Sequence, residues 1–130
     1  MGALFARAFT CLTNIRRPFS TNNKKGNMDS TKYILELIDS FPCLRMIVRP
    51  QDCLTKAHHE KPSFDPDKFL ALMDCASSGQ RLCAKFVVNV WNPTYAKMQG
   101  WDFDLFDFVG TADRENKMPV LDWMQNPRWP

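Results

Sequence analysis

The most reactive side chains of this 130-residue sequence are five thiols: Cys11, Cys43, Cys53, Cys75 and Cys83. Their odd number, without a segment typical of a secretory signal, indicates a reducing compartment in which free cysteine acts as a small buried hydrophobe. Cys43 and Cys53 have the spacing of one half of a twin Cys-x9-Cys protein, but Pro50 interrupts the continuous helix that such a half needs. Cys75 and Cys83 have a different spacing. We therefore expect ordinary buried thiols.

Two other groups of side chains offer metal ligands or acid-base groups: Cys53, His58, His59 and Glu60, and then Asp102, Asp104 and Asp107. The first group matches no zinc pattern, because zinc ligands are usually paired as Cys-x2-Cys or His-x3-His. The second group lacks the ligand ladder, the central glycine and the final glutamate of an EF-hand loop. The sequence also lacks a glycine-rich phosphate loop. It therefore predicts no catalytic, metal-binding or cofactor-binding residue.

The four tryptophans all lie in the last third of the sequence, at Trp91, Trp101, Trp123 and Trp129. Most aromatic side chains of a small protein belong to its core. Trp101 and Trp129 lie outside the helical periodicity, so they either cover the edge of the core or bind a partner. Interfaces are enriched in Trp and Arg. The predicted partner surface consists of Trp101, Asp102, Asp104, Asp107, Arg128 and Trp129.

The elements that position these residues are predicted to form a mainly α fold, a small bundle of about five short helices. Apolar residues at helical spacing predict a first helix, which is capped by Asp29 or Ser30 and ends at Pro42. Leu44 to Val48 is either a short strand or one buried helical turn, because periodicity cannot decide over five residues. Gln51 to Ser63 is predicted to be a loop.

The next two helices have clear boundary signals. Asp65-Pro66 places an acid at the cap and a proline at the first helical position, so a helix starts there, and Ser77-Ser78-Gly79 is expected to end it. The third helix starts at once and has a broad apolar stripe, which predicts that it is the central helix. It ends at Asn92-Pro93, because the residue before a proline leaves the helical region.

The C-terminal elements are shorter. Tyr95 to Trp101 is predicted to be a loop, followed by a short helix in which Phe103, Phe106 and Val109 recur every three residues, although alternation in this segment also fits a strand. A last helix runs from about Asn116 to Gln125, with Pro119 in its first turn. The residues of this helix expected to face inward are Val120, Leu121, Trp123 and Met124.

The net charge of +3 is unevenly distributed. Residues 1–27 carry five basic residues and no acid, whereas residues 28–130 carry 12 basic and 14 acidic residues, a net charge of −2. We expect residues 28–130 to form a single helical domain. Because DNA-binding domains are usually basic, a nucleic-acid partner is not expected for it. No apolar stretch approaches the roughly 20 residues that a membrane helix needs, so a soluble protein without a membrane partner is expected.

Residues 1–27 have two interpretations. The segment contains Arg, Ser, Thr and Asn and no acid, which fits a mitochondrial presequence, and Arg17-Pro18-Phe19-Ser20 resembles a matrix processing site. Alternatively, translation starts at Met28, since the codons for Lys24-Lys25-Gly26-Asn27 form a purine-rich run that resembles a bacterial ribosome-binding site. The first interpretation implies the mitochondrial matrix and the second a bacterial cytoplasm. We favour the second.

One stretch resembles a known family. Gly79-Gln80, Phe86, Val90-Trp91-Asn92 and Phe103-Asp104-Leu105 are similar to a pattern in small uncharacterised bacterial proteins that are often encoded near plasmids and other mobile elements. The resemblance covers about residues 77–125. The family has no established activity, so the resemblance implies a bacterial origin and no catalytic residue.

These observations favour a non-enzymatic, cytoplasmic protein-interaction domain of bacterial or mobile-element origin, whose partner is another protein bound through the acidic, aromatic C-terminal part. The alternatives are a mitochondrial soluble protein, such as an assembly factor with a cleaved presequence, and a small enzyme whose site is unrecognised. No cofactor is expected in the favoured case.

The charge distribution generates a first testable expectation. Residues 28–130, with their net charge of −2, should bind duplex DNA weakly or not at all, since phosphate neutralisation supplies most non-specific affinity. Fluorescence anisotropy with a labelled duplex at several salt concentrations measures this. Tight binding that strengthens as the ionic strength falls would contradict the expectation.

Overall fold

The computed structural model describes residues 27–55 and 62–130, and this part of the chain is mainly helical. Its α-helices are α1 (Asn27–Ser40), α2 (Pro42–Arg45), α3 (Pro66–Leu72), α4 (Ser78–Trp91), α5 (Pro93–Met98), α6 (Leu105–Thr111) and α7 (Arg114–Gln125). Two 3-10 turns lie at Pro50–Cys53 and Met73–Cys75. The predicted mainly α fold is confirmed. The predictions for residues 1–26 and for the His58, His59 and Glu60 group lie outside the described residues.

Helix α4 is the centre of the packing, as its broad apolar stripe predicted. It contacts α1, α2, α5 and α6. Its buried residues are Leu82, Cys83, Ala84, Phe86, Val87, Val88 and Val90. The helix begins with a capping box, in which Ser77 Oγ accepts from the Gln80 amide and the Gln80 side chain accepts from the Ser77 amide. This pairing satisfies two amides that the first turn leaves without helical partners.

The capping role of Ser77 corrects the predicted end of the preceding helix. Ser77-Ser78-Gly79 begins α4, whereas α3 ends at Leu72 and continues only as the turn Met73–Cys75. The predicted start of α3 is confirmed, since the Asp65 side chain accepts from the amides of Asp67 and Lys68. Serine that competes with the helical backbone for hydrogen bonds stops one helix and caps the next equally well.

Asn92 has the same double role after α4. It ends α4 as predicted, and its side chain then accepts from the Tyr95 amide as the cap of α5. The expected loop from Tyr95 to Trp101 was therefore wrong over its first half, because Pro93 occupies the first turn of α5 and needs no hydrogen-bond partner there. The bend at Gly100 is confirmed, since its φ of 71° is in the left-handed region that glycine adopts at low cost.

Helices α6 and α7 begin at aspartate caps that shift their registers from the predicted ones. Asp104 caps α6, and in the resulting register Phe108 is buried, while Phe106 and Val109 are exposed. Segment 103–109 is therefore helical from Leu105 onward. Asp113 caps α7, which begins at Arg114 and not at Asn116.

The start of α7 at Arg114 places Pro119 beyond the first turn, inside the helix. Val120 is buried and Trp123 is half-buried, as predicted. Leu121 and Met124 are 50% and 55% exposed, so the prediction that they face inward was wrong. With five helical residues before it, Pro119 leaves one carbonyl of the preceding turn without its helical partner.

The segment between α1 and α3 is less regular. Leu44 to Val48 adopts helix and turn, with the Val48 amide donating to the Leu44 carbonyl, so the strand alternative is excluded. Asp29 and Ser30 lie inside α1, not at its cap. Within the expected loop, an antiparallel bridge pairs Leu54 with Phe64.

Aromatic rings connect the helices around α4. The Phe86 ring lies 5.9 Å from that of Phe41, 5.3 Å from that of Phe103 and 5.6 Å from that of Trp123, all in edge-to-face geometry. Such pairs add to the free energy gained from area burial. Phe86 therefore joins the junction between α1 and α2, the segment before α6, and α7 to the central helix.

Replacing this ring tests its role. Phe86→Ala should lower the free energy of unfolding by about 3–5 kcal/mol, because a buried ring is replaced by a cavity. Phe106→Ala is the matched control, since the same atoms are removed from a side chain that is 86% exposed, and its cost should stay within about 0.5 kcal/mol. Urea unfolding of both variants measures the difference, and equal costs would show that the ring contacts of Phe86 contribute nothing.

Candidate functional site

Trp101, a predicted partner-surface residue, is half-buried and packs against the core. Its amide donates to the Ala96 carbonyl at 2.7 Å, and its own carbonyl accepts from Asn89 Nδ2 at 2.8 Å. The backbone of Trp101 thus ties the connection between α5 and α6 to the central helix. Its side chain covers the edge of the core, one of the two roles that the sequence left open.

The three aspartates of the predicted surface have different environments. Asp102 and Asp107 are exposed. Asp104 is also exposed, but its carboxylate caps α6 by accepting from the amides of Phe106 and Asp107 at 2.9 and 3.1 Å. Residues 98–113 contain four aspartates and no basic residue. The segment that contains α6 is therefore acidic, and one of its carboxylates is committed to the fold.

Arg128 contacts Tyr33 of α1, and Trp129 contacts Trp123 of α7. The guanidinium of Arg128 lies 5.0 Å from the centre of the Tyr33 ring, a cation-π geometry, and the Arg128 carbonyl accepts from Trp123 Nε1 at 2.9 Å. The Trp129 ring packs edge-to-face on Trp123 at 4.9 Å. The six predicted residues thus form two groups, one around α6 and one at the C-terminus, which the rings of Phe103, Phe86 and Trp123 connect.

An apolar face on α6 was missed in the sequence. Phe106 is 86% exposed, and Leu105 and Val109 are about half exposed. Residues three and four apart are neighbours on a helix, so these three side chains form one patch, which we call the α6 face. The signal that could have revealed it is Asp104: as a cap it fixes the helical register and places Phe108, not Phe106, toward α4.

The second feature is a cleft of about 170 Å³ where α2, α4 and α7 meet. Its lining residues are Cys43, Ser77, Gly79, Gln80, Cys83, Thr111, Ala112, Asp113 and Asn116. Cys43 Sγ and Cys83 Sγ are hydrogen-bonded at 3.4 Å across 40 residues of sequence. The structure therefore pairs two thiols that spacing did not connect.

Polar side chains hold the backbone of Cys43 in this cleft. Its amide donates to Asn116 Oδ1 at 3.1 Å, and its carbonyl accepts from Gln80 Nε2 at 3.2 Å. Asn116 is itself fixed, since Asn116 Nδ2 donates to Asp113 Oδ1 at 2.7 Å. Asn116 is the buried polar residue of the core among the residues described, and these hydrogen bonds offset the cost of burying its amide.

The pairing shifts the two thiol pKa values in opposite directions. The hydrogen bond from Cys83 lowers the pKa of Cys43 and outweighs the opposing effects of burial and of Asp113. The same hydrogen bond, together with burial, raises the pKa of Cys83. Once Cys43 is ionised, Cys83 must be the donor, because a thiolate has no proton to give. Cys43 is the partly exposed thiol and Cys83 is fully buried.

The other described cysteines have simpler environments. Cys53 is buried, and its burial, with Asp52 and Asp65 adding to the effect, raises its pKa to about 12. Cys75 is exposed. Within residues 27–55 and 62–130, no three His, Cys, Asp or Glu side chains are grouped as metal ligands. The described thiols therefore include one pair and two single groups.

Comparison with family models, with curated proteins and with solved structures finds no match to this chain. The resemblance of residues 77–125 to mobile-element proteins therefore stays a prediction. None of the helices in the described ranges combines the length and the apolar character needed to cross a membrane.

Labelling with iodoacetamide should distinguish the thiols. A lowered pKa places the thiolate of Cys43 at lower pH, so its labelling rate should reach half its maximum below pH 9.0, the ordinary thiol value. Cys53 should stay unlabelled until urea unfolds the chain. Cys83→Ala removes the hydrogen-bond donor and should move the Cys43 profile to higher pH. Peptide mapping after timed labelling gives the rates, and equal rates at Cys43 and Cys53 in the folded protein would contradict the assignment.

Proposed function

We propose that this protein is a non-enzymatic interaction domain whose α6 face binds a basic, apolar segment of another protein. The observation that carries the proposal is the exposure of Phe106, 86%, in an acidic part of the sequence. An exposed large apolar residue on its own needs no explanation, whereas three of them on one helix face are the pattern of a binding surface.

The apolar part of the proposed surface is well defined. Phe106 projects from a helix that Phe108 anchors in the core, so its position is fixed before a partner binds. An aromatic side chain with two rotatable bonds loses little entropy when it is bound, and aromatic anchors contribute much of the free energy of protein interfaces. Phe106 is the proposed anchor, with Leu105 and Val109 beside it. Trp101 supports this segment from the core side.

The negative charge around the α6 face favours a partner segment that carries positive charge. Residues 98–113 carry four aspartates without a basic residue, so the α6 face is bordered by negative charge. Complementary charges speed association and disfavour partners of the same sign. A segment with Lys or Arg beside large apolar side chains, such as an amphipathic basic helix, complements this arrangement.

The origin of the domain is part of the same proposal. The resemblance of residues 77–125 to small proteins encoded near mobile elements includes Phe103-Asp104-Leu105, which leads directly into α6. A bacterial, cytoplasmic protein is consistent with that resemblance. The partner in this case is another protein of the same cell.

A pair of synthetic peptides tests the surface directly. A lysine-leucine peptide with leucines at helical spacing should bind the full chain, and a glutamate-leucine peptide with the same apolar face should not. Phe106→Ala should weaken binding of the lysine peptide by about 2 kcal/mol, roughly 30-fold, without changing the melting temperature. Titration calorimetry at two salt concentrations measures the affinities.

Two controls accompany this titration. Met46→Ala removes a side chain that is 80% exposed outside α6, and it should leave the affinity unchanged. Asp102→Asn with Asp107→Asn should weaken binding only at low ionic strength, because exposed charges are screened by salt; Asp104 is left in place because it caps α6. Equal binding of both peptides, or full affinity in Phe106→Ala, would refute the proposal.

A further inference from the structure

We infer that Cys43 and Cys83 form a thiol-disulfide exchange site for low-molecular-weight disulfides. Cys43 is the attacking residue and Cys83 the resolving residue. The site goes beyond the proposed interaction at the α6 face, since it is built from α2, α4 and α7 and uses different chemistry. The resulting state is a disulfide between α2 and the central helix.

The geometry of the pair suits this reaction. The two Sγ atoms are 3.4 Å apart, so closing them to a disulfide of about 2.05 Å needs an approach of roughly 1.3 Å. The contact between α2 and α4 holds the two residues together. Cys83 is fully buried and Cys43 is partly exposed at the cleft. Solution disulfides therefore reach Cys43 first, and Cys83 is already in contact with the sulfur that it must attack.

The cleft provides space for the reacting end of such a molecule. Its volume of about 170 Å³ exceeds that of an engineered cavity of roughly 150 Å³ that holds benzene. Ser77, Thr111 and Asp113 contribute polar groups to its lining, which suits the amide and amine groups next to the sulfur in a thiol peptide. Asn116 and Gln80 hold the backbone of Cys43 at the cleft, and its side chain is left to make the approach to Cys83.

The reaction balances with the small disulfide as the oxidant. The Cys43 thiolate attacks one sulfur of the disulfide, a mixed disulfide forms, and a small thiolate leaves with the electron pair of the broken bond. Cys83 then loses its proton and attacks Cys43 Sγ, which releases the second small thiolate. The two protons from the cysteines end on the two released thiols, so the protein loses two electrons and the small disulfide gains them.

The chemical properties of the two thiols agree with a first attack by Cys43 and a second attack by Cys83. The hydrogen bond from Cys83 favours the thiolate of Cys43, and thiolates are the attacking species in exchange reactions. A zinc site usually requires four ligands, and no such group exists in the two described ranges of the chain. Disulfides that form in reducing compartments are usually transient, catalytic or redox-sensing.

Incubation of the reduced full chain with oxidised glutathione, without oxygen, tests the site. Wild-type protein should yield a pair of peptides cross-linked through Cys43 and Cys83, two hydrogens lighter than the two reduced peptides together. Cys83→Ala should stop at a single glutathione adduct on Cys43, because the resolving thiol is gone. Cys43→Ala should show no adduct at Cys83. Cys75, an exposed single thiol, is the internal reference, and Cys75→Ala should leave the cross-link unchanged.

The fold of the variants is controlled with a second measurement. Cross-linked wild type should melt roughly 5–15 °C above the reduced form and return to the reduced value after dithiothreitol, since the bond restricts the unfolded chain. This comparison uses only the wild-type protein, so it still tests the exchange site if the Cys83→Ala variant does not fold. A wild-type adduct at Cys43 that persists without a cross-link, or glutathione only at Cys75, would overturn the inference.

Discussion

Burying the broad apolar stripe of α4 is the constraint on which the rest of the structure depends. Seven of its 14 residues are buried, and one neighbouring helix cannot cover so wide a stripe. Helices α1, α2, α5 and α6 therefore pack around it. Three of these four have between four and seven residues, too few to be stable alone in water, so their stability comes from this packing. The capping side chains Ser77, Asn92 and Asp104 fix where each helix begins, and thus which residues face α4.

The two candidate sites follow from this arrangement. A helix of seven residues makes two turns, so α6 can direct only part of its apolar side chains toward α4. Phe108 takes the buried position, and Phe106 is left in solvent. Helix α2 has only four residues, and Cys43 comes to α4 because Phe41 and Leu44 on either side of it are buried. The contact with Cys83 is thus a consequence of packing around the central helix, and it brings two sulfur atoms to 3.4 Å.

The parts of the fold that the sequence could predict depend on local signals. The central helix and the start at Asp65-Pro66 follow from periodicity and cap chemistry, which act within one or two turns. Ser77 and Asn92 were recognised only as helix ends, because the competition for backbone hydrogen bonds that ends one helix is also what starts another. The exposure of Phe106 was not predicted, because three-residue spacing does not fix a helical register without the cap. The Cys43-Cys83 contact spans 40 residues, and no local pattern encodes it.

Helix α7 follows α6 in the chain and also lines the cleft that contains Cys43 and Cys83. Asn116, in its first turn, holds the Cys43 amide, and Asp113, its cap, holds Asn116. A shift of the Cys43 backbone would stretch this hydrogen bond, whereas a rotation of its side chain leaves the bond in place. Thr111, the last residue of α6, and Ala112 line the same cleft just before Asp113. The junction between α6 and α7, two residues beyond Val109 of the α6 face, therefore forms part of the wall of the cleft. The thiol pair and the α6 face thus both depend on how the Asp113 cap ends one helix and begins the next.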